Sequence, residues 1–298
     1  MQFRHPLLQK GDCVGLIACS DGIRPENAEQ VDNLTAMLSQ FDLQIEQAAT
    51  LFRCEGPFSG TPAERADALL SLFCNPKVKV IFDISGGDTA NQVLPYLDFG
   101  GIASHPKPFA GISDLTVVLN ALYAKTNMPT FHYQLLHLCG NASAQQVTVF
   151  DDLFRTPGPH TPGFDQTWLR GQHINGIVIG GNIRCLLKLA GTTYLPDPHG
   201  KILFLESLGG GPNRMAALLA QLDQIGYLQQ CAGIILGTFT QMEAQQLQPT
   251  IETLVLEITQ PYQMPVVKTS QLGHGDDAVW LSIGAEITLD AASNPCAD

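Results

Sequence analysis

A serine, a glutamate and a histidine, each at the end of an apolar run or in a glycine-flanked loop, are the residues of this chain best placed for nucleophilic chemistry. Ser113 lies in Pro108-Phe109-Ala110-Gly111-Ile112-Ser113-Asp114-Leu115-Thr116, where a short buried strand turns sharply into a helix running from about Asp114 to Lys125. A hydroxyl at such a turn is pushed out at the end of a sheet. The unpaired N–H groups of the helix's first turn lie beside it and can meet an oxyanion. The G-x-S-x-G spacing is incomplete, because Leu115 takes the place of its final glycine. A helix N-cap is therefore the competing use of this serine. Glu206 ends the run Lys201-Ile202-Leu203-Phe204-Leu205-Glu206. A carboxylate closing a buried apolar run is costly without a partner, and it is the orienting group that a catalytic histidine needs. His274 stands in Gly273-His274-Gly275-Asp276-Asp277, sterically open and free to reach across a cleft. A solvated loop histidine is the alternative there. His132 and His137 are further possible bases, but no carboxylate stands near them in sequence, and both read first as structural.

These residues need a scaffold that presents strand ends to one side. Cys13 to Ala18 is a continuous apolar run, as in a strand buried on both faces. Val31, Leu34, Leu38 and Phe41 recur at helical spacing, and Leu43 and Ile45 alternate with polar residues in a short second strand. Thr61-Pro62-Ala63-Glu64 is a capping box with proline at the first helical position. Val78 to Ile84 is the next strand and leads into Ser85-Gly86-Gly87-Asp88-Thr89. This alternation predicts an α/β fold with a parallel sheet, in which ligands sit at the carboxyl ends of the strands. Gly86-Gly87 and Ser113 both lie at such ends. Paired glycines let a backbone approach a ligand and aim its N–H groups inward, although a plain turn has the same composition. Pro129 to Tyr133 reads as a further strand, and Ser143 to Arg155 as a helix opened by Ser143 with Gln146 as its capping-box partner.

The run Thr156-Pro157-Gly158-Pro159-His160-Thr161-Pro162-Gly163 is the densest in proline and glycine and reads as a linker. The expected division is an N-terminal domain over residues 1–155, a linker over 156–170 and a C-terminal domain over 171–298. In the second half Ile174 to Ile179 is a strand and Gly180-Gly181-Asn182 a turn. Ile183 to Ala190 is a helix that Asn182 either caps or leaves to hold a substrate carbonyl. Gly209 to Arg214 reads as a flexible loop before a helix over Met215 to Ile225, with Gly226 at its C-terminus. Gly233 to Thr238 is another strand, and Ala278–Ile283 with Glu286–Leu289 reads as a hairpin.

Composition excludes several classes. A length of 298 residues predicts two domains, and a net charge of −12 argues against a nucleic-acid polymer or an acidic membrane as partner. No apolar run is long enough to span a bilayer, and the N-terminal residues lack a signal-peptide layout. The eight cysteines form no C-x-x-C pair, and reduced, buried thiols in a cytosolic protein are the expectation. Nothing in the sequence asks for a metal or another cofactor.

Ser113, Glu206 and His274 stand in the order nucleophile, acid, base. With them come Gly11-Asp12 and Ser20, Gly86-Gly87, Gly111 to Thr116, Gly180-Gly181-Asn182, Gly191-Thr192, Ile202 to Glu206, Gly233 to Gly237 and Gly273-His274-Gly275. With these motifs in this order along nearly the whole length, the chain resembles the serine LD-carboxypeptidases (peptidase family S66). That family includes muropeptide-recycling enzymes and microcin C immunity peptidases. The resemblance implies a Rossmann-like N-terminal domain carrying the nucleophile and a smaller, swivelling C-terminal α/β domain carrying acid and base. It implies a cytosolic, metal-free homodimer acting on a small peptide through a Ser113–His274–Glu206 triad. The backbone N–H groups of Gly87 and Asp114 would form its oxyanion hole, with Gly86, Asp88 and Asn182 as substrate-binding positions. Many recycling enzymes carry an arginine before the paired glycines and a tyrosine after them, where this chain has Ser85 and Asp88. Gly86 to Asp98 and Ala124-Lys125-Thr126 look more like the microcin-immunity branch, whose long substrate loop has little room here. The leading expectation is hydrolysis of the amide between an L-centre and a terminal D-amino acid in murein-derived peptides. The alternative is cleavage of a peptidyl- or aminoacyl-nucleotide amide, with Trp168 as the candidate adenine platform. A catalytically silent peptide-binding module is the third.

Overall fold

In the computed structural model, which describes residues 3–158 and 162–291, the chain folds into two six-stranded sheets. The first is built from β1 (Cys13–Ile17), β2 (Gln44–Gln47), β3 (Val78–Asp83), β4 (Phe109–Gly111) and β5 (Thr130–His132). All five are parallel, in the order β5-β4-β3-β1-β2. The second contains β6 (Thr167–Arg170), β7 (His173–Asn182), β8 (Ile202–Ser207), β9 (Gly233–Phe239) and β10 (Val266–Lys268). Here β7 to β10 are parallel and β6 is an antiparallel edge. The apolar runs at β1 and β8 are fully buried, as two-sided strands of a parallel sheet must be.

The last two strands depart from the hairpin expected of them. β11 (Leu281–Ile283) pairs antiparallel with β5 and closes the first sheet, whereas β12 (Glu286–Asp290) pairs antiparallel with β7 in the second. The expected domain limits shift accordingly. Thr167–Arg170, placed in the linker, is a strand of the second sheet, and Leu281–Ile283, placed in the second domain, belongs to the first. Pro159, His160 and Thr161 of the expected linker, like Cys296, lie outside the described residues.

Helices α1 (Ala28–Gln40), α2 (Pro62–Cys74) and α3 (Phe99–Ser104) connect the first strands. The capping box that opens α2 is present in both directions between Thr61 and Glu64. Helix α4 (Thr116–Thr126) follows the serine turn and is buried from Thr116 to Tyr123. Its sequence is apolar on every side, the pattern of a helix enclosed by protein. It lies between the sheets, and one buried cluster joins its Val117 and Leu122 to Val178, Phe204 and Ile235 of the second sheet.

Helix α5 (Ser143–Phe150) continues as a π-helical turn to Arg155. Its expected capping box is absent: Ala142 is the N-cap, and the Gln146 side chain is buried and bonded elsewhere. Helices α6 (Ile183–Leu187), α7 (Pro212–Gln224), α8 (Tyr227–Gln230), α9 (Thr240–Ala244) and α10 (Ile251–Ile258) flank the second sheet. α7 begins three residues earlier than expected, with Pro212 in its first turn. Proline is suited to that place because it lacks an N–H that would be unpaired there anyway. None of the described helices is long and apolar enough to cross a membrane.

Candidate active site

Ser113 stands one residue beyond the end of β4, after Ile112, and starts a single 3-10 turn, Ser113–Leu115, ahead of α4. Its φ is +59°, a left-handed value that side chains other than glycine seldom adopt. Its hydroxyl caps no helix: Ile112 occupies the N-cap of the turn and Leu115 that of α4, neither with a side-chain cap. The helix-cap use is thereby removed. What remains is a half-buried hydroxyl on a strained strand-to-helix turn.

Glu206 and His274 meet. His274 Nδ1 is 2.5 Å from Glu206 Oε2, with the glutamate fully buried and the imidazole side chain 10% exposed. A carboxylate on Nδ1 fixes the ring's orientation and leaves Nε2 for reaction. That Nε2 is buried and makes no hydrogen bond to the protein. No hydrogen bond joins it to Ser113, but two contacts link the segments that carry these residues. Asn182 is the strand neighbour of Glu206, and its N–H donates to Thr116 Oγ1 at 2.9 Å, three residues beyond the serine. His132, the strand neighbour of Gly111, packs edge-on against Phe204 at 5.0 Å between centroids.

The loop of His274 is held, not free as its flanking glycines suggested. The His274 N–H donates to Thr238 Oγ1, and Gly273 passes so close to that hydroxyl at φ +129° that a Cβ has no room. Gln146 Nε2 donates to the carbonyls of Asp276 and Ala278 at 3.0 and 2.9 Å, and Asn141 donates to the Asp276 carboxylate. Helix α5 of the first domain therefore sets the loop that carries His274. Nothing local in the sequence signals this, because Gln146 looks like half of a capping box.

The paired glycines are equally constrained. Gly87 has φ +132°, and a Cβ there would collide with the Asp21 carboxylate. Asp21 in turn accepts from Thr89 Oγ1 at 2.9 Å and from the Asp88 N–H. Arg65, fully buried, donates from beneath to the carbonyls of Cys19 and Ser20, to Thr89 and to Gln92. A cation on the apolar stripe of α2 was the sequence signal for it. Asp83, at the end of β3, accepts from the N–H groups of Cys19 and Ser85 and from the Ser85 hydroxyl. Burial pushes its carboxyl up, and those hydrogen bonds oppose the push. The carboxylate-at-strand-end rule that singled out Glu206 applies to Asp83 as well.

Asp114, fully buried, accepts from Ser20 Oγ at 2.6 Å, the Ala90 N–H at 2.8 Å and Lys188 Nζ at 2.5 Å. Its carboxylate thus ties the serine turn to the loop that follows β1 and to the residues after Gly87. Asp88 pairs with Arg184 and Lys188, and the Arg184 hydrogen bond holds its carboxyl below the usual range. Asn182 caps α6 through the Cys185 N–H at 3.4 Å. Gly86 has open space where a side chain would begin. His132 is fully buried, and loss of hydration pushes its imidazole down to about 4. His137 is pushed down too, chiefly by burial, with the charges of Asp276 and Asp277 opposing. Trp168 sits on β6, partly buried against the core, and Trp280 is buried edge-on to Phe131. Among the described residues no group of three or more His, Cys, Asp or Glu side chains could hold a metal ion.

The fold and these motifs have counterparts among known proteins. Residues 14–133 match the model of the LD-carboxypeptidase N-terminal domain, and residues 175–289 match that of the LD-carboxypeptidase C-terminal domain. A probable murein peptide carboxypeptidase of Bacillus subtilis is 27% identical over 303 residues, spanning 98% of this chain and 93% of its own. The microcin C7 self-immunity protein MccF of Escherichia coli is 26% identical over 322 residues, spanning 96% and 94%. A solved structure of MccF in complex with glutamyl sulfamoyl guanosine shares the fold, with a TM-score of 0.84 at 22% identity over 96% and 95% of the two chains. With both of its domain models matched in order along the sequence, this chain belongs to the LD-carboxypeptidase family, peptidase family S66.

Proposed function

We propose that this chain is a serine carboxypeptidase that hydrolyses the amide between an L-centre and a terminal D-amino acid in murein-derived peptides. The observation that carries this is the Glu206–His274 pair, which leaves a buried Nε2 without a hydrogen bond, in a chain that also holds a serine strained at φ +59° on a strand-to-helix turn. Ser113 Oγ attacks the amide carbonyl as His274 Nε2 takes its proton, and Glu206 holds the imidazolium that forms. The oxyanion of the tetrahedral intermediate accepts from the N–H groups of Gly87 and Asp114. Collapse passes the proton from His274 to the leaving D-amino acid nitrogen and leaves an ester on Ser113. Water then attacks that ester, with His274 as base, and frees the shortened peptide. Gly86, with open space at its Cα, lets the substrate backbone approach, and Asp88 and Asn182 are its further binding positions.

The nucleophile comes from the domain built on residues up to 155. Acid and base come from the domain that follows residue 171, with the chain returning to the first sheet at Leu281–Ile283. A cytosolic homodimer, as the family resemblance implies, completes this proposal. Gel filtration with light scattering measures the oligomer.

A second reading is cleavage of an aminoacyl- or peptidyl-nucleotide amide, favoured by the similarity to MccF. An adenine needs an aromatic platform. Trp280 is buried edge-on to Phe131, so Trp168, half-buried against the core, is the position left for that role. The test is to incubate the protein with an L-Ala–D-Glu–diaminopimelate–D-Ala tetrapeptide and, separately, with an aminoacyl sulfamoyl adenosine, following products by mass spectrometry. Release of D-alanine from the tetrapeptide alone supports the proposal, and cleavage of the nucleotide alone replaces it. If neither is cut and Ser113→Ala binds the tetrapeptide as the parent does, the chain is a silent binding module.

A further inference from the structure

Helix α6 of the second domain and Lys188, the residue that caps its C-terminus, present two cations, Arg184 and Lys188, to the loop of the first domain that follows β3. Arg184 pairs with the Asp88 carboxylate and donates to the Gly87 carbonyl at 3.4 Å. Lys188 Nζ donates to the Asp88 carbonyl at 2.9 Å and to Asp114 Oδ1 at 2.5 Å. One ammonium therefore touches both strand-end segments, the one that bears the Gly87 N–H and the one that bears the Asp114 N–H. The spacing of four residues puts both cations on one face of the helix, so they act together. The two carboxylates, Asp88 and Asp114, balance the two cations. Lys188 is mostly buried and Asp114 fully so, which makes this link strong and hard to replace with water.

Oxyanion donors are effective only when fixed before charge develops, because a donor that must reorient gives back what it stabilises. Gly87 holds a positive φ that favours glycine, and its segment is braced from outside through the Gly87 and Asp88 carbonyls. We infer that Lys188 and Arg184 are positioning residues that set the Gly87 and Asp114 N–H groups as an oxyanion hole, so that the hole is assembled only when α6 is docked. Neither side chain touches the reacting atoms in this role. The inference rests on the serine-peptidase reading of the site given above.

The test compares Lys188→Met, Lys188→Arg, Arg184→Gln, Ser113→Ala and Lys125→Met in hydrolysis of the tetrapeptide. Lys125 also links the domains, through Thr193 at 2.9 Å, but far from the paired glycines in the chain's fold, at the other end of α4. Removal of one oxyanion donor costs about 100- to 1,000-fold in kcat, so loosening both is expected to cost about 10- to 100-fold in Lys188→Met. KM should stay within about threefold, because the ground-state carbonyl gains little from the hole. Affinity for a peptide boronate, which mimics the tetrahedral state, should fall in step with kcat. Lys188→Arg should recover most of the loss, Arg184→Gln should lose about three- to tenfold in kcat, and Lys125→Met should match the parent. If Lys188→Met melts below the assay temperature, Arg184→Gln decides on the same criteria. The inference fails if kcat stays within threefold of the parent, if only KM moves, or if Lys125→Met loses as much. Activity retained in Ser113→Ala would instead overturn the reading of the site itself.

Discussion

Asn120 and Gly180 exchange two hydrogen bonds across the domain junction: the Asn120 amide donates to the Gly180 carbonyl at 2.8 Å and accepts from the Gly180 N–H at 2.9 Å. A side-chain amide thus pairs with a peptide group as a strand neighbour would. Asn120 is fully buried in α4, and Gly180 lies near the end of β7, two residues before the strand neighbour of Glu206. Asn120→Ala leaves a buried N–H and C=O without partners, each costing about 1–3 kcal/mol. Destabilisation of about 2–4 kcal/mol is expected, read from urea denaturation. A change under about 0.5 kcal/mol would show that the pair does not hold the junction.

Ser113 pays for its position with backbone strain. Ser113→Ala keeps the φ of +59° and should abolish hydrolysis with little change in melting temperature. Ser113→Gly should also be inactive but more stable, by about 1 kcal/mol, because glycine adopts a left-handed conformation without a Cβ clash. Equal melting temperatures for the two variants would mean the turn is unstrained.

Glu206 supplies orientation and charge to His274. Glu206→Gln keeps the shape but removes the charge and favours the wrong imidazole tautomer. A loss of roughly 10³- to 10⁴-fold in kcat is expected in steady-state kinetics, with KM little changed. A loss under tenfold would assign the carboxylate a structural role only.

Gln146 reaches from α5 to the loop of His274. Gln146→Leu removes both donations to Asp276 and Ala278, and a cost of about 1–3 kcal/mol in stability is expected. Amide hydrogen exchange over residues 273–278 should quicken and kcat should fall, while exchange in β1 stays slow. Unchanged exchange in the loop would show that Thr238 and Asn141 hold it without Gln146.

His132 makes stability depend on pH. Its imidazole is fully buried and pushed from 6.5 down to about 4, chiefly by burial, with the Glu206 charge opposing and the His274 charge adding. The unfolded chain binds a proton at about 6.5 while the folded chain does not, so the stabilisation is present above pH 6.5. It is lost as pH falls from about 6.5 to about 4, to a total of about 3 kcal/mol. His132→Gln should flatten the thermal-melt profile in that window. A variant whose melting temperature falls as steeply as the parent's would move the acid sensitivity elsewhere.

The sequence by itself determined the local elements and the chemistry available at their ends. The Thr61–Glu64 capping box formed as its spacing required, because both partners lie within one turn. The runs at β1 and β8 were legible because burial on both faces leaves no polar alternation, and β3 shares that pattern apart from the exposed Lys79. A serine, a glutamate and a histidine could be singled out for the same local reasons. What only the tertiary structure decided was partnership between distant segments. Gly284-Ala285 between two apolar runs has the local chemistry of a hairpin, yet Leu281 pairs with His132 and Glu286 with Ile177, in different sheets. Gln146 had the spacing of a capping box and went instead to a loop 130 residues away. Arg184 and Lys188 carried no signal, because their carboxylates lie 96 and 74 residues off. Such contacts are chosen by which buried groups would otherwise lack a partner, and that is a property of the packed whole, not of any window of sequence.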